Sequence, residues 1–528
     1  MNPPRPAPAV SAVGMDPEAA KARPATLNLL IPEDRHAALR RHPLLAKSTP
    51  AGRQTLTSIY YDTARFDLRR AGLVFRLRRA DESWVQSLSR QETSDAASFL
   101  HPVWQAPYLN HFDLSTVGEP ELRDWLLKQK ISRRMVPQFE TRFRRLQWRV
   151  ERHDREGVLI RLDRGWIAAD GRREAVSELQ LELRTGSIDE LHELALELGA
   201  TLPLAPLLLS KAERGYRLVR NTVMRPVRAG AVEIAGAASP HDAFRRIALD
   251  CLTHLQLNHA GAIAGSDPEY VHQMRVATRR LRAALRMFRP VLPPAFEAEL
   301  APGLRDLMRG LGLVRDLDVL MDEIVSPVCR AVPDEPRLTE LAGAITNRLY
   351  VAREEVRRML RDPAYGRLLL SARRLLHQAP FAGAADDPGA DQLAAFADRR
   401  LRRFLKRIIE LAGTARPDYP PSLHELRIAI KRLRYAVEFF GELLPGKGGT
   451  SLQKRLAGLQ EDFGQLNDLA SAGTLLMVCA GRESQLREAV TLIGGWHGPR
   501  HAALLESIPE RLDEIRKLRL ERLKRKDG

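Results

Sequence analysis

Cysteine is scarce here: Cys251, Cys329 and Cys479 are the only three among 528 residues, and no two of them have a metal-binding or disulfide-framework spacing. Isolated cysteines argue against a disulfide scaffold and a zinc knuckle, and they suit a reducing compartment. Aromatic residues make up 6% of the chain, and the basic stretches carry too few of them for base stacking, which disfavours nucleic acid as a partner. Acid is also in deficit, with 66 Asp and Glu against 83 Lys and Arg, a net charge of +17. Such an excess favours polyanionic partners. No apolar run approaches the length of about 18 residues that a membrane span needs, and the first 24 residues hold no apolar signal core. The expectation is a cytoplasmic protein without membrane insertion. No Gly-rich phosphate loop, Ser/His/Asp arrangement or metal-spaced His cluster stands out.

With 44% hydrophobic and 28% charged residues the chain is globular, and its length implies two to four domains. Its organising feature is a duplicated stretch. VHQMRVATRRLRAALRMF, Val271 to Phe288, returns as LHELRIAIKRLRYAVEFF, Leu423 to Phe440, offset by 152 residues. At about 100° per residue, His272, Arg275, Arg279, Arg282 and Arg286 share one sector of a helix, beside a packing sector of Met274, Ala277, Leu281, Ala284, Leu285 and Phe288. His424, Arg427, Lys431 and Arg434 repeat the stripe. Arg280 and Arg432 fall about 80° from the position of His272 and are expected at the rim of that sector or in ordinary solvent. Like charges at these spacings repel by a few tenths of a kcal/mol per pair, so an anion would relieve them. The repeat is larger than one helix, because Asp316 and Asp468, and Phe244 and Phe396, keep the same offset. The two aspartates are expected to pair with nearby basic side chains or to cap a helix.

Residues 1–24 are rich in Pro and Ala and read as a disordered tail. Residues 25–218 read as strands of an antiparallel sheet or barrel, because short alternating runs are separated by DRG, DG and TG turns. Arg76 and Arg78 share a face on one run, Arg142 and Arg144 on another, and Glu178, Gln180 and Glu182 on a third. Residues 219–238 read as a linker. A helical region follows at 239–518, in half-repeats 239–380 and 391–518 divided by the loop Ala379–Asp391, and 519–528 form a basic tail. The fold class is therefore multidomain α+β, a β-barrel followed by an all-α domain of two pseudo-symmetric four-helix bundles.

The segments IYYDTARFDLRRAGLVFRLRR, WVQSLSR, TRFRR, LDRG, SELQLELR and SKAERGY resemble the CYTH domain, the triphosphate tunnel fold, over residues 25–218. That resemblance implies binding of triphosphate, with Arg76, Arg78, Arg142, Arg144, Lys211 and Arg214 as candidate contacts and Glu178 and Glu182 as candidate ligands for Mg²⁺ or Mn²⁺. The family's first-strand glutamates and lysine are replaced by Pro24, Thr26 and Asn28, and a central acid by Gln180, so hydrolysis is expected to be impaired. H-x-x-R-x-x-x-[RK]-R-x-R in each half of 239–518 resembles the CHAD domain, the conserved histidine alpha-helical domain. It implies a basic channel that binds inorganic polyphosphate, in some members at polyphosphate granules, through His272, Arg275, Arg279, Arg280, Arg282, Arg286, His424, Arg427, Lys431, Arg432 and Arg434. Binding of this kind requires no cofactor. The alternatives are a metal-dependent inorganic triphosphatase acting on tripolyphosphate, and non-specific nucleic-acid binding.

Overall fold

The computed structural model describes residues 25–520 apart from 81–82, 95–96, 153–154, 223, 235, 238, 266, 379–392 and 445–447. The expected tail 1–24, the loop Ala379–Asp391 and most of the tail 519–528 lie outside the described residues. The chain forms two compact units, one of residues up to Arg225 with Asp362–Arg374, the other of Pro226–Arg361 with residues from Leu375 onward.

The first unit is a nine-stranded antiparallel sheet. Its strands are β1 (Thr26–Leu30), β2 (Thr49–Thr63), β3 (Leu73–Ala80), β4 (Ser83–Ser94), β5 (Ala97–Pro107), β6 (Met135–Arg152), β7 (Arg155–Ala169), β8 (Arg172–Leu183) and β9 (Ala205–Pro206). They lie in the order β5-β4-β3-β2-β6-β7-β8-β1-β9. Side chains alternate across a strand, and β8 shows the result. Leu179 and Leu181 join Leu29, Ile160 and Leu162 in an apolar layer under helix α1 (Ile188–Gly199), which supplies Leu191, Leu194 and Leu198. The Ser187 hydroxyl caps α1 by accepting from the Glu190 N–H at 3.3 Å.

The other face of the sheet receives α2 (Lys211–Val219), whose Ala212 and Tyr216 pack with Tyr60, Phe139 and Val176. Gly215 permits this approach, since a Cβ there would lie 2.1 Å from the Phe139 ring. The same helix thereby delivers Lys211 and Arg214 to the polar end of that face. The helix Pro363–His377 contributes Leu370 to the apolar layer under α1. Residues 362–374 thus belong to the sheet unit, where reading 239–380 as one helical half-repeat had placed them elsewhere.

The second unit is all helical. Helices α3 (Pro240–Ala264), α4 (Pro268–Phe288), α5 (Pro294–Val319) and α6 (Pro336–Leu360) pack as one four-helix bundle. Helices α7 (Leu393–Thr414), α8 (Pro420–Phe440), α9 (Gly448–Ala480) and α10 (Ser484–Arg516) form the second. Helices α4 and α8 match end to end at the 152-residue offset, each opening on a proline, which tolerates a helix's first turn, and closing on a phenylalanine before a short 3₁₀ turn. Their packing residues Met274, Ala277, Leu281, Ala284 and Phe288, and Ala429, Leu433, Ala436, Val437 and Phe440, are all buried.

The bundles join at an aromatic knot. Phe288 lies 5.2 Å from Phe396, 5.6 Å from Phe440 and 5.6 Å from Phe244 between ring centroids. These four are two pairs at the repeat offset, which puts the pseudo-two-fold relation in the core itself. No helix among the described residues is long and apolar enough to cross a membrane.

Candidate functional site

The polar faces of α4 and α8 open on two cavities within the helical unit. The first, about 910 Å³, is lined by His272, Arg275, Arg279, Arg315, Arg427 and Lys431, and also by Asp316, Glu323, Glu461 and Asp468. The second, about 870 Å³, is lined by Arg279, Arg282, Arg286, Arg289, Lys431 and Arg432, with Arg400, Arg403, Lys406 and Arg407 arriving from α7. Glu410 is the sole carboxylate among its described lining residues. Arg279 and Lys431 line both cavities, which therefore adjoin at that pair of cations and are together called the trough.

Its charge is unevenly compensated. In the first cavity Arg275 binds Asp316 at 3.0 Å and Arg427 approaches Asp468 at 3.5 Å, the same pair in each repeat. The two aspartates therefore neutralise basic side chains, as their sequence positions led us to expect. Among the described residues Arg279, Arg282, Arg286, Arg403, Lys431 and Arg432 form no ion pair. Burial, with Arg427, Arg279 and Arg275 beside it, pulls the Lys431 ammonium down to about 7. Burial is the larger cause, and the neighbouring guanidinium groups act in the same direction against the pull of Asp468.

Three of the eleven sequence candidates stand apart from the trough. Arg280 is a correction: it is 1% exposed, held by Asp250 at 2.8 Å and Glu438 at 2.6 Å, and so belongs to the core and not to a rim. Arg434 is turned to Gln460 at 2.6 Å and Glu438 at 3.5 Å. His424 is exposed, with Nδ1 2.8 Å from the Asn467 side-chain oxygen. His272 does line the first cavity, but burial and the nearby Arg315, Arg279 and Arg275 hold its ring below the usual pKa. It contributes little positive charge at neutral pH. Sequence reasoning missed α7, although ADRRLRRFLKR, Ala397 to Arg407, carries basic residues at helical spacing; it lacks the duplication that drew attention to the other two helices.

In the sheet unit the candidate residues separate by face. Arg142 and Arg144 are exposed and point away from the interior, which corrects their assignment; the inward arginine of that strand is Arg145, bound to Asp163 at 2.7 and 2.8 Å. Two arginines in succession, Arg144 and Arg145, leave the alternation ambiguous in sequence. Lys211 binds Asp163 at 3.0 Å and also Glu178, while Arg214 holds Glu178 at 2.5 Å and Glu174 at 2.6 Å. Arg161 pairs with Glu182 and reaches Gln180 at 3.0 Å. Burial raises the Asp163 carboxyl, but hydrogen bonds from Arg145 and the charge of Lys211 outweigh it and keep the acid ionised.

A divalent cation does not fit this donor set. Glu178 and Glu182 already carry cationic partners, and β1 opposes them with Thr26, Asn28 and Leu30. Asn28 accepts from the Gln180 amide at 3.1 Å, so two neutral amides bonded to each other stand between the two carboxylates. No group of three His, Cys, Asp or Glu among the described residues could hold a metal. Arg76 and Arg78 remain without an acidic partner among the described residues. Burial and the adjacent Arg76 bring Arg78 down to about 10.

Comparison with known proteins bears on both units. The model of the CYTH domain matches residues 28–216 and that of the CHAD domain matches residues 246–477. An inorganic triphosphatase of Haemophilus influenzae is 28% identical over 177 residues, 33% of this chain and 49% of its own. The match thus spans about half the length of that curated relative. The crystal structure of the CHAD domain from the plant Ricinus communis is 34% identical, covers 57% of this chain and 100% of its own, and superposes with a TM-score of 0.50. A putative adenylyl cyclase from Hippeastrum, described as having a dominant triphosphatase activity, is 18% identical over 38% of this chain and 98% of its own, with a TM-score of 0.27.

Proposed function

The chain belongs to the CYTH and CHAD families, with a CYTH domain at 28–216 followed by a CHAD domain at 246–477, and from that premise we propose that it binds inorganic polyphosphate in the trough of its helical unit. One observation carries the reading: two cavities meet at Arg279 and Lys431, cations with no ionic partner among the described residues. Guanidinium groups meet phosphate oxygens with two parallel hydrogen bonds, and each phosphate neutralised releases counter-ions to the solvent. The fourteen residue steps from His272 to Arg286, all within α4, span about 21 Å of helix at 1.5 Å per residue. A linear anion matches that length better than a compact one.

In this reading the sheet unit contributes phosphate contacts through Arg76 and Arg78 and no hydrolysis, because its acids are spent on its own cations. The test is binding of long-chain polyphosphate by the full chain and by Arg279→Ala/Lys431→Ala. The double variant is expected to lose about tenfold or more in affinity, with a shallower salt dependence. Wild-type binding by that variant would overturn the proposal.

A further inference from the structure

The helical unit contains the bed of one groove twice, once filled and once open. On the first repeat the bed is filled by the linker. The Val227 carbonyl accepts from His254 Nε2 and from the Asn258 amide, both at 2.9 Å, and the Val227 N–H donates to Asn258 Oδ1 at 2.9 Å. The Gly230 carbonyl accepts from Arg280 at 3.4 Å, and the Ile234 N–H donates to Glu442 at 2.9 Å. His254, Asn258, Arg280 and Glu442 thus hold residues 227–234 against the bundle.

Shifted by the repeat offset, those four positions become Lys406, Glu410, Arg432 and Pro290. All four line the 870 Å³ groove. The same shift carries the triad Asp250–Arg280–Glu438, in which the guanidinium is buried between two half-buried carboxylates, onto Arg402, Arg432 and Arg286. Two acids have become arginines, of which Arg286 lines the groove and Arg402 pairs with Asp398 at 2.6 Å, so the twin of the bed that the linker fills is open and more basic. Arg400 ties α7 to α4 by donating to the Arg286 carbonyl at 3.3 Å, leaving that side of the groove walled by a helix whose counterpart in the first repeat is apolar at Ala248, Cys251 and Leu255. Burial and the charges of Arg286 and Arg407 lower the Arg432 guanidinium.

We propose that the groove between α7 and α8 seats an extended segment of linear polyphosphate, lying over the second repeat where the linker lies over the first. This rests on the polyphosphate reading above and adds an asymmetric path: the anion leaves the junction at Arg279 and Lys431 on the α7 side. Its twin holds residues 227–234, a stretch of chain outside any helix or strand, and a linear anion is the counterpart of such a stretch. A short phosphate can satisfy the junction alone; a long one gains the α7 contacts as well.

The experiment compares tripolyphosphate with long-chain polyphosphate on the full chain, using Arg403→Ala/Lys406→Ala, both exposed residues of α7, beside Arg279→Ala/Lys431→Ala. The α7 variant is expected to bind the long chain about tenfold more weakly, with its log–log salt slope reduced by about two. Tripolyphosphate binding should be unchanged, and Arg403→Lys/Lys406→Arg should restore long-chain affinity. If the α7 variant binds long chains normally while the junction variant does not, the groove is not on the path and the polyphosphate reading stands alone. If both variants bind normally, the polyphosphate reading falls and takes this proposal with it. An equal loss for short and long ligands in the α7 variant would also overturn it, by making α7 part of one compact site.

Discussion

Lys431 is where residue chemistry most affects function. Its free-state pKa near 7 comes from burial and from Arg427, Arg279 and Arg275, and a bound phosphate would reverse the second cause. Binding then takes up a proton, so affinity is level below about pH 7 and falls as pH rises through the free-state pKa toward the bound one. Titrating polyphosphate affinity from about pH 6 to pH 9 should show that fall, and Lys431→Arg should flatten it, because arginine stays charged throughout. A pH-independent wild type would remove Lys431 from the contact. The stripe around it was legible in sequence because helical spacing alone groups His272, Arg275, Arg279, Arg282 and Arg286. Burial was not legible: Arg279 and Arg280 are neighbours in a basic run, yet one lines the trough and the other is a core ion pair, a difference set by Asp250 and Glu438 on other helices.

Helices α4 and α8 show how a duplication diverges by changing partners more than its own residues. Arg280 and Arg432 are equivalent, but the first is enclosed by two carboxylates and the second stands among arginines. Removing the buried guanidinium leaves two half-buried carboxylates uncompensated, at a cost below the roughly 3–5 kcal/mol of a fully buried pair, whereas an exposed change away from such features stays within about 0.5 kcal/mol. Arg280→Met should therefore lower stability markedly in denaturant unfolding, while Arg432→Met should leave it nearly unchanged and weaken polyphosphate binding instead. Equal stability losses would mean that the two sites are not the inverted pair inferred from their partners. The linker belongs at this scale too. Its Pro, Ala and Gly content marked it as a connection, but nothing local announced that Val227, Gly230 and Ile234 would be hydrogen-bonded to the first bundle.

Across the whole molecule, the acids and bases inside the sheet unit neutralise one another. Lys211 and Arg214 occupy Glu178, Arg145 and Lys211 occupy Asp163, and Arg161 occupies Glu182. Incubation of the full chain with tripolyphosphate and Mg²⁺ or Mn²⁺ should release no more orthophosphate than Glu178→Gln does; release that this substitution abolishes would restore the enzyme reading. By itself the sequence determined the two-part order of sheet and helices, the duplicated bundle and the cationic stripes, because alternation, helical periodicity and a constant offset are properties of a one-dimensional pattern. Only the tertiary structure decided which arginines have an acidic partner, that α7 walls the groove while the linker fills its twin, and that residues 362–374 complete the sheet unit. Charge compensation and enclosure depend on groups distant along the chain, and those distances collapse only on folding.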